Sequence, residues 1–341
     1  MNVIAMHDED AGAAPKAAEI ARRFIKTGID WVTIAWTAFG LSVLALSTWA
    51  GWTGLTPLWL SFVLNAYFMF FIFATMHEAS HGNIGHGRSA WLNSTLGWLC
   101  GCINLVPYRG WGDLHVWHHA HVNNGEMDPD EWVKGSNPFE VVFRAATIPQ
   151  HYLYFYFKTR AYDRVRGGRF AYTWIVMTWV ISIGVSATLW KVTGNYKMLV
   201  LWPLAGYTNI FIMGMMFVWF PHFPRAGRGR TDNSTTYVLG PVAGALLRPF
   251  DIWQAYHLVH HAYPRVPFYR QGKLFNAIRE HIEADGSEIV DLTGARPSPA
   301  PASSREARPV RAASWRRDAR QPSPSRKAPE TSPRPQWRLW R

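Results

Sequence analysis

Three runs of histidine stand out for the chemistry their spacing permits. His77-Glu78-Ala79-Ser80-His81 places two imidazoles four residues apart. His115-Val116-Trp117-His118-His119 and His257-Leu258-Val259-His260-His261 each place three at i, i+3 and i+4. A helix turns once in 3.6 residues, so these positions share a face and each run aims two or three rings at one point. Neutral imidazole suits iron, zinc, copper and nickel, and its second nitrogen is left for a partner that fixes the ring. Eight such rings exceed what one tetrahedral zinc uses. The count points to two metal ions, with iron the favoured element.

Taken alone, the first run also matches the H-E-x-x-H of zinc metalloproteases, with Glu78 as base. That reading leaves His115, His118, His119, His257, His260 and His261 idle, and it ranks below the two-metal one. His222, beside the helix-ending Pro221 and facing the same side, is a ninth candidate ligand. Asp128 and Asp130 flank Pro129; they form either an ordinary turn or acceptors for the ring N–H of a ligand histidine, and we favour the second. His86 and His121 sit beside the runs and are expected behind the site or in solvent. His7, His151 and His281 have no supporting neighbours and receive no role.

Histidines so far apart in the chain need elements that bring them to one place. Trp31 to Ala50 and Pro57 to Met76 are free of charge, and the second runs straight into His77. Twenty helical residues rise about 30 Å, the depth of the hydrocarbon layer. Ala171–Trp190 and Leu199–Phe220 are two further candidate spans. Ala90–Tyr108 is apolar but broken by polar residues and glycines, and is expected as a re-entrant or interfacial helix. Aromatics make up 15% of the chain, which favours the membrane–water boundary. The fold class is therefore all-α: an integral membrane protein with about four transmembrane helices and a helical, histidine-rich cap.

Charge orients this arrangement. Four spans put residues 1–30, both polar segments and the C-terminus on one side, which holds nearly all the Lys and Arg; that side should be the cytoplasm. The site and both termini then face it, and the expected location is a bacterial inner membrane. We divide the chain into an N-terminal segment (1–30), a membrane domain (31–293) and a Pro/Ser/Arg-rich tail (294–341) expected to be disordered. From Arg296 on, twelve Arg or Lys face three acids, so the tail carries +9 of the net +12. The remaining +3 gives a nucleic-acid partner little support. Cys100 and Cys102 are too few for a disulfide framework or an iron–sulfur site, and are expected as core thiols.

The three runs, His118-His119-Ala120-His121-Val122-Asn123-Asn124 with Asp128-Pro129-Asp130, Pro221-His222-Phe223-Pro224 and Tyr256–Pro264 make the sequence resemble the membrane fatty-acid desaturase superfamily of di-iron oxygenases. The likeness covers roughly residues 30–275 and, within the superfamily, is read as nearest to bacterial β-carotene hydroxylases and ketolases. It implies that His77, His81, His115, His118, His119, His257, His260 and His261 are iron ligands, with His222 a ninth. Glu78 departs from the Asp of many members, and the tail resembles nothing in the family. The resemblance implies O2 as co-substrate, attack on an unactivated C–H bond of a lipid, and electrons from an external ferredoxin- or cytochrome-type donor. The expected substrate is a carotenoid ring, gripped by Trp111, Trp117, Trp132, Trp253 and Tyr256; a fatty-acyl desaturase is the alternative.

Overall fold

The computed structural model describes residues 14–159, 170–223, 226–240, 242, 244, 254–287 and 289–292. His7, Trp253, Pro224 and the tail from residue 294 lie outside the described residues.

Two long apolar helices form the frame. Helix α2 (Trp31–Thr53) is capped by Asp30, whose carboxylate accepts from the Val32 N–H, and is ended by Gly54 at φ +84°. Only a residue without Cβ takes that left-handed turn cheaply. Helix α3 (Leu58–Ser80) starts after Pro57 and stops where Gly82 turns to φ +69°. Small residues let the two approach: a Cβ on Gly40 would lie 2.5 Å from Ile72, and one on Gly51 2.6 Å from Ser61. Buried hydroxyls of Thr37 and Thr75 pair at 2.8 Å across the seam. On the other face of α2, Phe39, Leu46 and Trp49 are exposed, as a surface meeting lipid requires.

Helix α3 runs four residues past the apolar stretch that ends at Met76, so His77 sits inside a helix rather than after one. Its last turns are fully buried by the cap, which removes the need for an apolar exit. A short α1 (Ala14–Arg22) precedes α2. Helix α4 (Trp91–Asn104), in the stretch expected to be re-entrant, is about 21 Å long at 1.5 Å per residue and too short to cross. It packs on α3 and leads into α5 (Tyr108–His121), which carries the second histidine run. Helices α6 (Pro138–Ala146) and α7 (Ile148–Lys158) close one flank.

Helix α8 (Phe170–Thr193) covers the third expected span. Helix α9 (Lys197–His222) covers the fourth and carries two π-helical stretches, Val200–Leu204 around Pro203 and Gly214–Trp219. Helices α2, α3 and α9 are long and apolar enough to cross a membrane. Buried amides tie α9 in: Asn65 donates to the Leu201 carbonyl and Asn209 to Asn104, each at 2.8 Å. The cap is completed by α10 (His257–Ala262) and α11 (Phe268–Ala284), plus a two-stranded parallel ladder of β1 (Thr236–Leu239) and β2 (Ile289–Leu292). The described residues are otherwise overwhelmingly helical, as an all-α class requires.

One expectation fails in part. Cys100 is buried, but Cys102, two residues on, is exposed, because positions i and i+2 lie on opposite sides of α4. It is not a core thiol.

Candidate metal centre

Four elements deliver the nine candidate histidines to one place. His77 and His81 come from the end of α3, His115, His118 and His119 from α5, His222 from the end of α9, and His257, His260 and His261 from α10. Their ring nitrogens fall into two groups. In the first, His81 Nε2 lies 3.0 Å from His115 Nε2 and His115 Nε2 lies 3.1 Å from His119 Nε2. His119 Nε2 is 3.0 Å from His260 Nε2, which is 3.0 Å from His77 Nε2. In the second, His257 Nε2 is 2.9 Å from both His222 Nε2 and His261 Nε2. His118 shares that group: its ring nitrogen and those of His222, His257 and His261 all lie within 4.8 Å of one another.

Helix geometry explains how adjacent residues serve different groups. His118 and His119 are about 100° apart around α5, so they cannot face one point. His115 and His119, one turn apart, can. Across the gap, His119 stacks on His261 at 4.3 Å and 23°, which joins the two groups ring to ring.

Neutral imidazole has one N–H and one lone pair, so a hydrogen-bonded pair needs only one inward proton. Five nitrogens joined in a chain of such contacts, each ring offering one Nε2, cannot all be satisfied that way. Moreover, His118 Nε2 is buried with no hydrogen-bond partner, while its Nδ1 is taken by Asp128 at 2.7 Å. Lone pairs converging on a point, with an orphaned nitrogen among them, fit a cation in each group. Seven of the nine rings are buried, and burial, with neighbouring imidazoles adding to it, drives His115, His119, His257, His260 and His261 well below the ordinary histidine range. His81 is pushed down to about 3 by burial and the Arg265 guanidinium. Unprotonated rings are the form that binds metal.

Behind the rings stands a partial shell of acceptors. Asn123, at φ +58°, reverses the chain after α5 and brings Asp128 back against His118. The Asp128 carboxylate also accepts from the Asn123 and Asp130 backbone N–H groups. Asp130 lies 3.5 Å from His118 Nδ1 and accepts a short hydrogen bond from the Tyr152 hydroxyl. Burial disfavours the charged His118 ring, but these two carboxylates outweigh it and lift His118 to about 9. Burial pushes Asp130 up to about 6. The same acids make the neutral ring a stronger donor at Nε2. The sequence did not point to three further neighbours: Glu78 Oε1 at 3.3 Å from His77 Nδ1, the Asn233 carbonyl at 3.3 Å from His222 Nδ1, and the Gln271 amide at 3.4 Å from His260 Nδ1. Glu78 is the next residue on α3, where the sequence pattern suggests only a protease base; the other two come from a loop and a later helix, where spacing carries no signal.

Glu78 is fully buried, against His77 on one oxygen and accepting from Asn83 Nδ2 on the other at 2.9 Å. It therefore stands behind the ring rather than before an open metal position, and the protease role for it fails on geometry. His86 is near Arg265 (3.4 Å), and His121 turns outward, its Nδ1 on the Trp117 carbonyl at 2.9 Å. His151 stacks on Trp132.

An apolar cavity opens beside the first group. Trp111, stacked on His115 at 4.8 Å, and Phe217, 5.4 Å from both His77 and His257, form its histidine end, and Ile210, Met213 and Trp179 line it further on. Of the described aromatics expected to grip a ring, only Trp111 lines this space. Trp117 and Trp132 donate to the Met127 and Arg144 carbonyls, and Tyr256 packs on Phe275.

A model of the fatty acid desaturase family matches residues 53–292. The chain belongs to the fatty acid desaturase family. With three helices among the described residues long and apolar enough to cross a membrane, it is an integral membrane protein. Among curated relatives, a probable fatty acid desaturase of Sorghum bicolor is 33% identical over 94 residues, 28% of this chain and 22% of that protein. The sn-1 oleoyl-lipid 12-desaturase of a Picosynechococcus species is 23% identical over 282 residues, 72% of this chain and 77% of that one. A Synechocystis sn-1 acyl-lipid omega-3 desaturase (ferredoxin) is 38% identical over 60 residues, 18% of this chain and 16% of that protein. The family reading from the histidine runs thus holds. The nearness to β-carotene hydroxylases gains no support; these three relatives are named as fatty acid or acyl-lipid desaturases.

Proposed function

We propose that this protein is a membrane acyl-lipid desaturase that holds two irons, one in each histidine group, and uses O2 and electrons from a separate carrier. The observation that carries this reading is the pair of imidazole groups at the head of an apolar cavity, with Trp111 and Phe217 between ring nitrogens and cavity. His77, His81, His115, His119 and His260 would hold one ion, and His118, His222, His257 and His261 the other. Bound iron would supply O2 activation and hydrogen abstraction from an unactivated C–H bond. The protein's part is positional. Asp128 keeps the His118 proton on Nδ1 and its lone pair on Nε2, while the apolar walls align the chain and exclude water. Overall, two hydrogens leave the substrate as a double bond forms, and O2 with two electrons and two protons becomes two waters.

An acyl chain displaces the carotenoid ring as the favoured substrate. The relatives named for acyl-lipid desaturation support it, and of the four described aromatics invoked for a ring, three lie away from the cavity. A ferredoxin-type donor is favoured by the name of the Synechocystis relative. The site and both termini are read as cytoplasmic from the one-sided charge.

Expression in a host that supplies acyl lipids and β-carotene, with product analysis of both, tests this. The expected result is new acyl double bonds, β-carotene unchanged, and about two irons per purified chain. Oxygenated carotenoid with unaltered acyl chains would reverse the substrate, and a single zinc with negligible iron would end the di-iron reading.

A further inference from the structure

Seven of the nine imidazoles are buried; His119 and His261 alone are partly exposed, and they stack on each other across the groups at 4.3 Å, closer than the 6.2 Å stack of His115 and His118. The site therefore has one edge near solvent, and that edge touches both nitrogen clusters. Cations flank it. Arg230 donates to the Ala262 carbonyl at 2.7 Å, the residue after His261, and lies 4.6 Å over the Tyr263 ring. Arg228 donates through Nε to the Asn123 carbonyl at 3.3 Å, just beyond α5. Both side chains belong to exposed residues, and each has guanidinium donors beyond the one used. On the far side of the 262–265 turn, Arg265 lies by His86, and Arg88 is exposed one residue past Gly87. Among the described residues, none of these four arginines is in an ion pair, and Asp232, on the same loop as Arg228 and Arg230, pairs with neither.

We infer that this arginine rim is the docking surface for a small acidic one-electron carrier protein, with the His119–His261 stack as the point where electrons pass inward. The inference rests on the reading of the site as an electron-consuming metal centre. At each encounter one electron leaves the reduced carrier, which is oxidised, and reduces the metal pair; no bond is made or broken. Two guanidinium groups held by main-chain carbonyls are preorganised, so a carboxylate-rich surface meets fixed charges rather than mobile ones. Complementary charge also raises the encounter rate and falls off with salt. An anionic membrane surface is the competing occupant. The rim's position against the last residues of the second and third histidine runs favours the carrier, because the two partly exposed rings there, His119 and His261, belong one to each group.

The test uses the full chain, purified with its metal and reconstituted in neutral lipid nanodiscs, with a plant-type [2Fe–2S] ferredoxin as probe. The wild-type protein should bind reduced or oxidised ferredoxin with an affinity that weakens steeply with salt. The R228E/R230E variant should bind on the order of 10-fold more weakly or worse, with iron content and reduction by dithionite unchanged. The R228K/R230K variant keeps charge and should recover most of the affinity. Wild-type affinity in the charge-reversed variant overturns the proposal, and so does a defect that appears only when the nanodiscs carry phosphatidylserine. Binding is read without turnover, so a protein that docks ferredoxin through these arginines but desaturates nothing would sink the substrate reading and leave the docking surface standing.

Discussion

The two histidine groups are built on different ground. The first rests mainly on α3 and α5, two helices packed directly on each other, and its His77 has a carboxylate supplied by the next residue in the chain. The second draws His222 from the last residue of α9 and His257 and His261 from the six-residue α10. Its orienting groups, Asp128 and the Asn233 carbonyl, come from loops. The closest ring-to-carboxylate contact is nevertheless in the second group, 2.7 Å at His118 against 3.3 Å at His77. That hold falls on His118, which α5 itself carries, and not on the rings delivered by the end of α9 and by α10. Each group thus has one helix-borne ring held by a buried carboxylate, and the groups differ in how close that carboxylate stands and in how regular the elements are that carry the remaining rings.

The sharpest way to break that comparison is to remove one ring from each group. His81→Ala and His257→Ala should each abolish product formation, and each should lower iron from about two to about one per chain. Retention of both irons in either variant would show that the groups are not separate. The next test concerns the orienting carboxylates. Asp128→Asn should weaken one iron by about 10- to 100-fold, read by chelator competition, and Glu78→Gln should weaken the other by less. A larger effect at Glu78 would invert the contrast. The smallest expected effect lies outside both groups. His121→Ala removes a ring bonded only to its own helix and should leave iron content intact, with a stability change of about 1 kcal/mol or less seen in thermal unfolding. Iron loss there would extend the site beyond the nine rings.

Most of the first layer of this site was legible because helical spacing is a geometric statement. Residues at i, i+3 and i+4 share a side of the helix wherever the helix goes, and Pro221 marks the end of α9 just before His222. The partition was not legible. That His119 joins the α3 pair while His118 joins His222 depends on how α5 is rotated against its neighbours, and packing alone decides that. Apolar pattern located the frame but missed the extension of α3 through Ser80, since burial by the cap replaces burial by lipid. It gave no hint of the π-helical turns, whose hydrogen-bond shift leaves composition unchanged. The aromatics misled for a related reason: an indole at a membrane boundary is as readily a hydrogen-bond anchor to a carbonyl as a wall for substrate, and Trp117 and Trp132 are anchors.

The alternation of rings along α5 has a consequence for how such a chain can change over time. His115 and His119 serve one group and His118 the other, so a single inserted or deleted residue between them turns everything downstream by about 100°. Neither group would survive that change, whereas the loop from Asn124 to Met127 leads only to Asp128 and tolerates redrawing as long as the carboxylate returns. Substitution is open to this segment only between its ligating rings, and length variation is closed to it, so the spacing from His115 to His119 is a unit that descendants must inherit unchanged.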